Sequence, residues 1–209
     1  KNLKNRVSSY FTKGAELGEK TKMFEEANQL VAKVEAIDPN NPLIYGPLSM
    51  VRLDRNDMEG AKRAAIRGLE LNPKAPSTYN YLALIYLREA NPQAAVEYLT
   101  KGVNLDPQNP PPVMLFTLGC SHFYLGNDAT AIEWLSKAIE KSPKFAPPRA
   151  ALAAAYFRKG DTEKAKATAA ELLRSNPEFK ISSMAQRVIA PKLWETKLLP
   201  FAKQAGLPE

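Results

Sequence analysis

The chain has 209 residues, 44% of them hydrophobic, which suits one domain or one short solenoid with a buried core. Its single cysteine excludes an intramolecular disulfide, and no apolar run reaches the ~18 residues that a membrane-spanning helix needs. The formal net charge of +7 comes from basic residues in 1–22 and 111–209, and it permits an acidic protein partner, nucleic acid or an anionic surface.

The first seven residues, K-N-L-K-N-R-V, are polar and basic, and they predict a lead-in or linker. No apolar stretch follows them, so they do not form a secretory signal. Because the chain begins with Lys1 and not Met, we expect a fragment or a processed form of a longer protein. The near absence of cysteine favours the cytoplasm, although a periplasmic location stays open.

Two helical patterns joined by a short turn recur along the chain. They are clearest in residues 146–177, where Leu152 and Tyr156 share one face of the first predicted helix. Gly160 and Asp161 then end this helix and cap the next one. We predict five such helical hairpins, at 8–41, 42–75, 76–111, 112–145 and 146–179.

The hairpins repeat with a regular period. Each ends near one of five prolines, at positions 39, 73, 107, 143 and 177, which lie 34, 34, 36 and 34 residues apart. The longer interval contains the triple proline at 110–112, which predicts a stiff extended spacer. A helix-turn-helix unit of ~34 residues resembles the tetratricopeptide repeat (TPR). The resemblance covers most of the chain and implies an all-α, right-handed TPR superhelix of five hairpins.

Two places in each predicted repeat suggest how its helices pack. The twentieth place holds a small residue that lets two helix backbones approach, namely Ala27, Ala61, Ala95, Ala131 and Ala165. The fourth place holds a large residue that fills the gap to the neighbour, namely Phe11, Tyr45, Tyr79, Leu115 and Arg149. Arg149 departs from the apolar pattern, so we expect its stem to lie along the core with the charged head at the surface.

Residues 180–209 change pattern and predict two C-terminal capping helices separated by Pro191. A solenoid needs such a cap because its last repeat otherwise exposes a core edge. We expect the first of these helices to cover the open end of repeat five and the second to pack on the first.

No catalytic constellation is present in the sequence, so we expect no enzyme activity, no metal and no cofactor. His122 is the only histidine, and its neighbour Cys120 lies on a different helix face. We therefore interpret His122 as a packing residue. No glycine-rich phosphate-binding motif occurs.

The TPR resemblance implies a concave groove lined by the first helix of each repeat, which would bind a peptide or helix of a partner protein. Carried over place by place, its lining in this chain comprises Met50, Asn80, Leu84, Arg88, Phe116, Cys120, Phe123, Tyr124, Phe157 and Arg158. Phe123 and Phe157 fit the core between repeats equally well, whereas we expect Phe116 and Tyr124 to be exposed. The groove lacks the asparagine of the subtype that clamps a C-terminal carboxylate.

The last residues are also similar to the tail of bacterial multidomain signalling proteins, in which TPR arrays follow a nucleotide-cyclase or winged-helix domain. This resemblance covers 165–209 and implies a scaffolding or regulatory region of a larger protein. The alternative is binding of nucleic acid or an anionic surface through basic helix faces, although lysines scattered among glutamates favour a merely solvated surface. We expect a monomer or a weak dimer.

Overall fold

A computed structural model describes residues 38–182 and 190–209, together with the isolated positions 25, 26, 29, 32, 33 and 36. The predicted first repeat, with Phe11 and Ala27 at its packing places, therefore lies almost entirely outside the described residues. Within the described part the ordered elements are all helical. The predicted all-α solenoid is confirmed.

Four helical hairpins follow one another along the chain. Their helices are α1 (Pro42–Asp54) with α2 (Met58–Leu71), α3 (Pro76–Arg88) with α4 (Pro92–Val103), α5 (Pro112–Tyr124) with α6 (Asp128–Lys141), and α7 (Pro147–Lys159) with α8 (Thr162–Ser175). Each second helix that precedes another hairpin also packs against the first helix of that hairpin, which makes the stack continuous.

Local chemistry fixes where these helices begin. Each of the four described first helices begins with proline, whose missing backbone N–H would have no partner at this position anyway. Three second helices begin after an Asp or Asn whose side chain accepts a backbone N–H of the first turn, namely Asp57, Asn91 and Asp161.

In each of the four described hairpins, the residue at the fifteenth place of the repeat lies in the turn and has positive φ. That residue is Asn56 (φ 60°), Ala90 (φ 57°), Gly126 (φ 85°) or Gly160 (φ 92°). Glycine takes this left-handed conformation without strain, whereas alanine does not. The second described hairpin therefore carries backbone strain at Ala90.

The alanines at the twentieth place lie where helices cross. Ala61, Ala95, Ala131 and Ala165 each have 0% of their surface exposed. Gly119 of α5 serves a similar close approach, because a Cβ there would lie 2.7 Å from Cγ of Leu135 on α6. Small residues at these points let the paired helices interlock at the density of a protein interior.

The fourth-place residues tie each first helix to the turn before it. The hydroxyl of Tyr79 donates to the Pro73 carbonyl at 3.0 Å, and the hydroxyl of Tyr45 donates to the Pro39 carbonyl. Arg149 makes the equivalent bond, because its Nη1 donates to the Pro143 carbonyl. Its Nε also lies 3.4 Å from the Glu171 carboxylate. The stem of Arg149 is buried as expected, but the head is bonded to protein groups and does not reach out to the surface.

The chain ends in a helical stretch of three parts: α9 (Pro191–Leu193), a π-helical turn (Trp194–Leu198) and α10 (Leu199–Gln204). We call residues 191–207 the C-terminal segment. Its α9 contacts α3, its π-helical turn contacts α5, and α10 packs on α7. The sequence predicted that this segment packs on the preceding capping helix, and residues 183–189 of that helix lie outside the described part, so this contact stays a prediction. Among the described residues, the segment runs across the first helices of three successive hairpins.

The two ends of the post-repeat region meet. The backbone N–H of Ile181 donates to the Pro208 carbonyl at 2.9 Å, and Gly206, at φ 99°, turns the chain after α10. This bond fixes the far end of the C-terminal segment beside the start of the region that follows α8. None of the helices in 38–182 and 190–209 combines the length and the hydropathy needed to cross a bilayer.

Candidate partner-binding surface

The surface predicted to bind a partner is formed by the first helices, each of which begins at a proline and ends before the positive-φ turn. The structure divides its predicted residues into two groups. Five are buried, namely Met50, Asn80, Cys120, Phe123 and Tyr124. Five are partly exposed, namely Leu84, Arg88, Phe116, Phe157 and Arg158.

The residues of α5 belong to a buried cluster that continues into the C-terminal segment. Cys120, Phe123 and Tyr124 share this cluster with Trp194 and Leu198. Tyr124 is only 5% exposed, so the expectation that it faces solvent is wrong. Its cluster includes Trp194 and Leu198 of the C-terminal segment, whose π-helical turn contacts α5.

The aromatic residues whose placement was open take different positions. Phe123 is fully buried, so of its two possible placements the core is correct. Phe157 is half-buried at the edge of the same cluster. Phe116 is partly exposed and packs edge-on against Phe145, with ring centroids 5.5 Å apart.

Arg158 joins four elements at the centre of this surface. Its Nε lies 2.9 and 3.1 Å from the two carboxylate oxygens of Asp128, at the start of α6, and its Nη2 donates to the Phe123 carbonyl at the end of α5. The guanidinium carbon lies 3.5 Å from the Phe123 ring centroid and 5.6 Å from that of Phe201 in α10. The charge of Arg158 is thus neutralised by one carboxylate and covered by two rings.

The C-terminal segment supplies the side chains that cover this surface. Leu193, Trp194, Leu198 and Ala202 are buried, and Phe201 meets the Phe123 ring edge-on at 6.2 Å. Sequence reasoning recognised a helix here but missed that these residues contact the predicted groove. The apolar spacing of 193–202 was the available signal, since it shows that the helix buries one face.

A polar atom of the predicted groove and one of the segment have no partner among the described residues. Oδ1 of Asn80 on α3 and Nε1 of Trp194 are both buried and lack a hydrogen bond among the described residues. A buried polar group without a partner lowers stability, because its bond to water is not replaced. The segment is therefore buried with its Trp194 indole N–H unsatisfied among the described residues.

The titratable groups of the predicted groove and its surroundings are shaped by burial. Within 38–182 and 190–209 there is no cluster of three metal-ligating side chains. Burial raises the pKa of the Cys120 thiol, which keeps it protonated and a poor nucleophile. Burial also lowers the pKa of His122, whose Nδ1 has no partner in this part of the chain.

A cleft of about 510 Å³ opens at the longer linker between α4 and α5. Pro107, Pro110 and Leu115 line one side, and Trp134 and Lys141 of α6 line the other. The Lys141 ammonium donates to the Gln108 carbonyl at 3.0 Å and so holds the linker against α6. Leu115 has no polar atom with which to make the fourth-place bond of Tyr45, Tyr79 and Arg149.

Comparison with known proteins agrees with this geometry. Two family models of the tetratricopeptide repeat match the chain, one over residues 48–110 and the other over residues 124–188. The chain contains tetratricopeptide repeats. No curated protein sequence matches it.

Solved TPR structures share the fold. PilW, described as a widely conserved type IV pilus biogenesis factor, aligns with a TM-score of 0.72 and 16% identity over 98% of this chain and 90% of its own. TTC0263, a thermophilic TPR protein of Thermus thermophilus, aligns at 0.68 and 18% identity over 90% of this chain and 98% of its own. YrrB, described as a TPR protein with an unusual peptide-binding site, aligns at 0.60 and 16% identity over 84% of this chain and 90% of its own. At these identities the likeness establishes the fold alone.

Proposed function

We propose that this TPR array is a protein-interaction module that binds a helix or peptide of a partner along the surface of its first helices. The observation that carries the proposal is that this surface already holds an amphipathic helical stretch, the C-terminal segment, across α3, α5 and α7. The description of the TPR protein YrrB as having a peptide-binding site is consistent with such a role. The proposal extends to a scaffolding or regulatory place in a larger bacterial protein, such as a signalling cyclase.

The binding chemistry follows from the residues that remain accessible. Leu84, Phe116 and Phe157 present partly exposed apolar surface on three successive first helices. Anchoring of a few aliphatic or aromatic side chains in such a row supplies most of the affinity of a helix-in-groove complex.

The proposal is tested by selecting helical peptides from a displayed library against the immobilised chain. The affinity of the selected peptides is then measured for the parent and for two variants with the same introduced charge. Leu84→Glu alters the first helix α3, and Ile66→Glu alters the second helix α2 at a residue that is 41% exposed.

We expect Leu84→Glu to weaken peptide binding by about tenfold or more, and Ile66→Glu to change it by less than about twofold. Melting temperatures of the two variants control for loss of folding. The opposite pattern, in which only Ile66→Glu loses affinity, would place binding on the second helices and contradict the proposal.

A further inference from the structure

The C-terminal segment has the pattern of a groove-binding helix. Trp194, Leu198, Ala202 and Ala205 are buried and recur at intervals of four, four and three residues, which places them on one face. Glu195 and Lys197 on the same turn are exposed. A partner helix in a TPR groove would present the same kind of face, with apolar anchors inward and charges outward.

The receiving surface is the one assigned above to a partner. The ring of Phe201 lies against Phe123 and near the Arg158 guanidinium, and both of these residues were predicted from sequence to line the groove. Leu198 and Trp194 lie in the same buried cluster as Cys120. The segment and an external helix would therefore compete for the same side chains.

The segment leaves polar atoms unpaired in the described part of the chain and is irregular in its helix geometry. Nε1 of Trp194 and Oδ1 of Asn80 stay without partners among the described residues. The helix is also irregular, because the N–H of Leu199 bonds to the Trp194 carbonyl in a π-helical turn and Pro200 follows. Turns of this kind occur frequently at functional sites. An external helix that has regular geometry and forms hydrogen bonds with the unpaired polar atoms of the surface would bind without these two defects.

We infer that residues 191–207 are a built-in ligand of the first-helix surface, which an external amphipathic helix with aromatic and aliphatic anchors displaces. This inference rests on the proposed function and adds its regulation and the chemistry of its partner. The segment is covalently attached, so its effective concentration is high and only a helix of substantial affinity replaces it. The competing possibility, a permanent structural brace, is an outcome of the test.

The first experiment uses the unmodified chain and its single cysteine as the reporter. Cys120 is buried in the same cluster as Trp194 and Leu198 of the segment, so we expect departure of the segment to make its thiol accessible. The rate of Cys120 labelling by a thiol reagent is measured at increasing urea concentrations below the unfolding transition. In parallel, far-UV circular dichroism gives the fraction of globally unfolded chain.

We expect the labelling rate of Cys120 to be at least about tenfold higher than the rate that the globally unfolded fraction accounts for. The reason is that the segment opens while the repeats stay folded. Labelling that follows global unfolding at every urea concentration would overturn the inference and leave a permanent brace. This experiment needs no foreign partner. The library selection with Leu84→Glu and Ile66→Glu therefore decides the proposed function separately.

The second experiment supplies the segment in trans as a synthetic peptide of residues 190–209. The receiving chain carries Trp194→Ala and Leu198→Ala, which weaken its own segment, and the matched control carries Glu195→Ala and Lys197→Ala on the exposed face of the same turn. We expect the peptide to bind the first variant about tenfold more tightly than the control, and to slow Cys120 labelling there.

A folded first variant that fails to bind the peptide would overturn the inference. If this variant does not fold, Phe201→Ala alone serves as the receiving chain, because Phe201 is only partly buried. The labelling experiment on the parent decides the matter independently of either variant.

Discussion

Removal of the Arg158 guanidinium tests whether this residue holds the array and the C-terminal segment together. Its side chain is 17% exposed and that of its partner Asp128 is 18% exposed, so the pair is largely shielded from solvent. Arg158→Ala leaves the Asp128 carboxylate and the Phe123 carbonyl without this donor. It also removes the cation from the rings of Phe123 and Phe201.

The expected magnitude follows from these contacts. Breaking a buried ion pair by removing one partner costs about 3–5 kcal/mol, and partial exposure reduces this figure. A cation–π contact adds about 0.5–1 kcal/mol. We therefore expect Arg158→Ala to lower the free energy of unfolding by about 3 kcal/mol, measured by urea unfolding. Arg158→Lys should also be destabilising, because an ammonium cannot reproduce the planar fork on Asp128.

A double-mutant cycle isolates the pair from the rest of the effect. Arg158→Ala, Asp128→Ala and the double variant should give an interaction energy of about 1–3 kcal/mol. Lys137→Ala, at an exposed position of the same helix α6, is the control that removes a surface charge. A coupling below about 0.5 kcal/mol would show that Asp128 and Arg158 act independently and would refute this reasoning.

Three further predictions follow from packing, backbone and protonation. Ala131→Leu should overpack the crossing of α5 and α6 and cost about 1–3 kcal/mol, so an unchanged melting temperature would contradict the helix register. Ala90→Gly should raise the free energy of unfolding by up to about 1 kcal/mol in urea unfolding, because glycine relieves the positive φ, and destabilisation would count against strain at this turn. Burial lowers the pKa of His122 in the folded chain, so the unfolded chain takes up a proton first and stability falls as pH drops below about 6.5. His122→Tyr should lessen the loss in melting temperature between pH ~7.5 and ~5.5, and an equal loss in both proteins would rule out this histidine as its source.

The fold was predictable because its determinants are local and repeated. Alanines at the twentieth place and prolines at a period of ~34 residues can be recognised in a single hairpin, and their recurrence in the next hairpins identifies the repeat. The role of Arg149 was less accessible, because its acceptor is the carbonyl of Pro143, six residues upstream, which depends on the shape of the turn. Tyr45 and Tyr79 at the same place make that bond with a hydroxyl, and this shared donor was a usable signal.

The candidate site was predictable only in part. A family pattern assigns residues such as Phe123 and Tyr124 to the inner face of a first helix, but it does not state what lies over them. The apolar spacing of 193–202 predicts that this helix buries one face and does not specify against which surface. That choice depends on contacts between residues far apart in the chain, such as Arg158 with Phe201.

The placement of the C-terminal segment has a mechanical consequence. In a repeat array each unit contacts only its neighbours, so small changes at each interface can add up to a change in the curvature of the whole array. Here one segment contacts α3, α5 and α7. It therefore links the hairpin of α3 to the hairpin of α7, although the hairpin of α5 lies between them in sequence. While the segment is in place, we expect these three hairpins to resist changes in curvature together. Its departure would let each hairpin move relative to its neighbours.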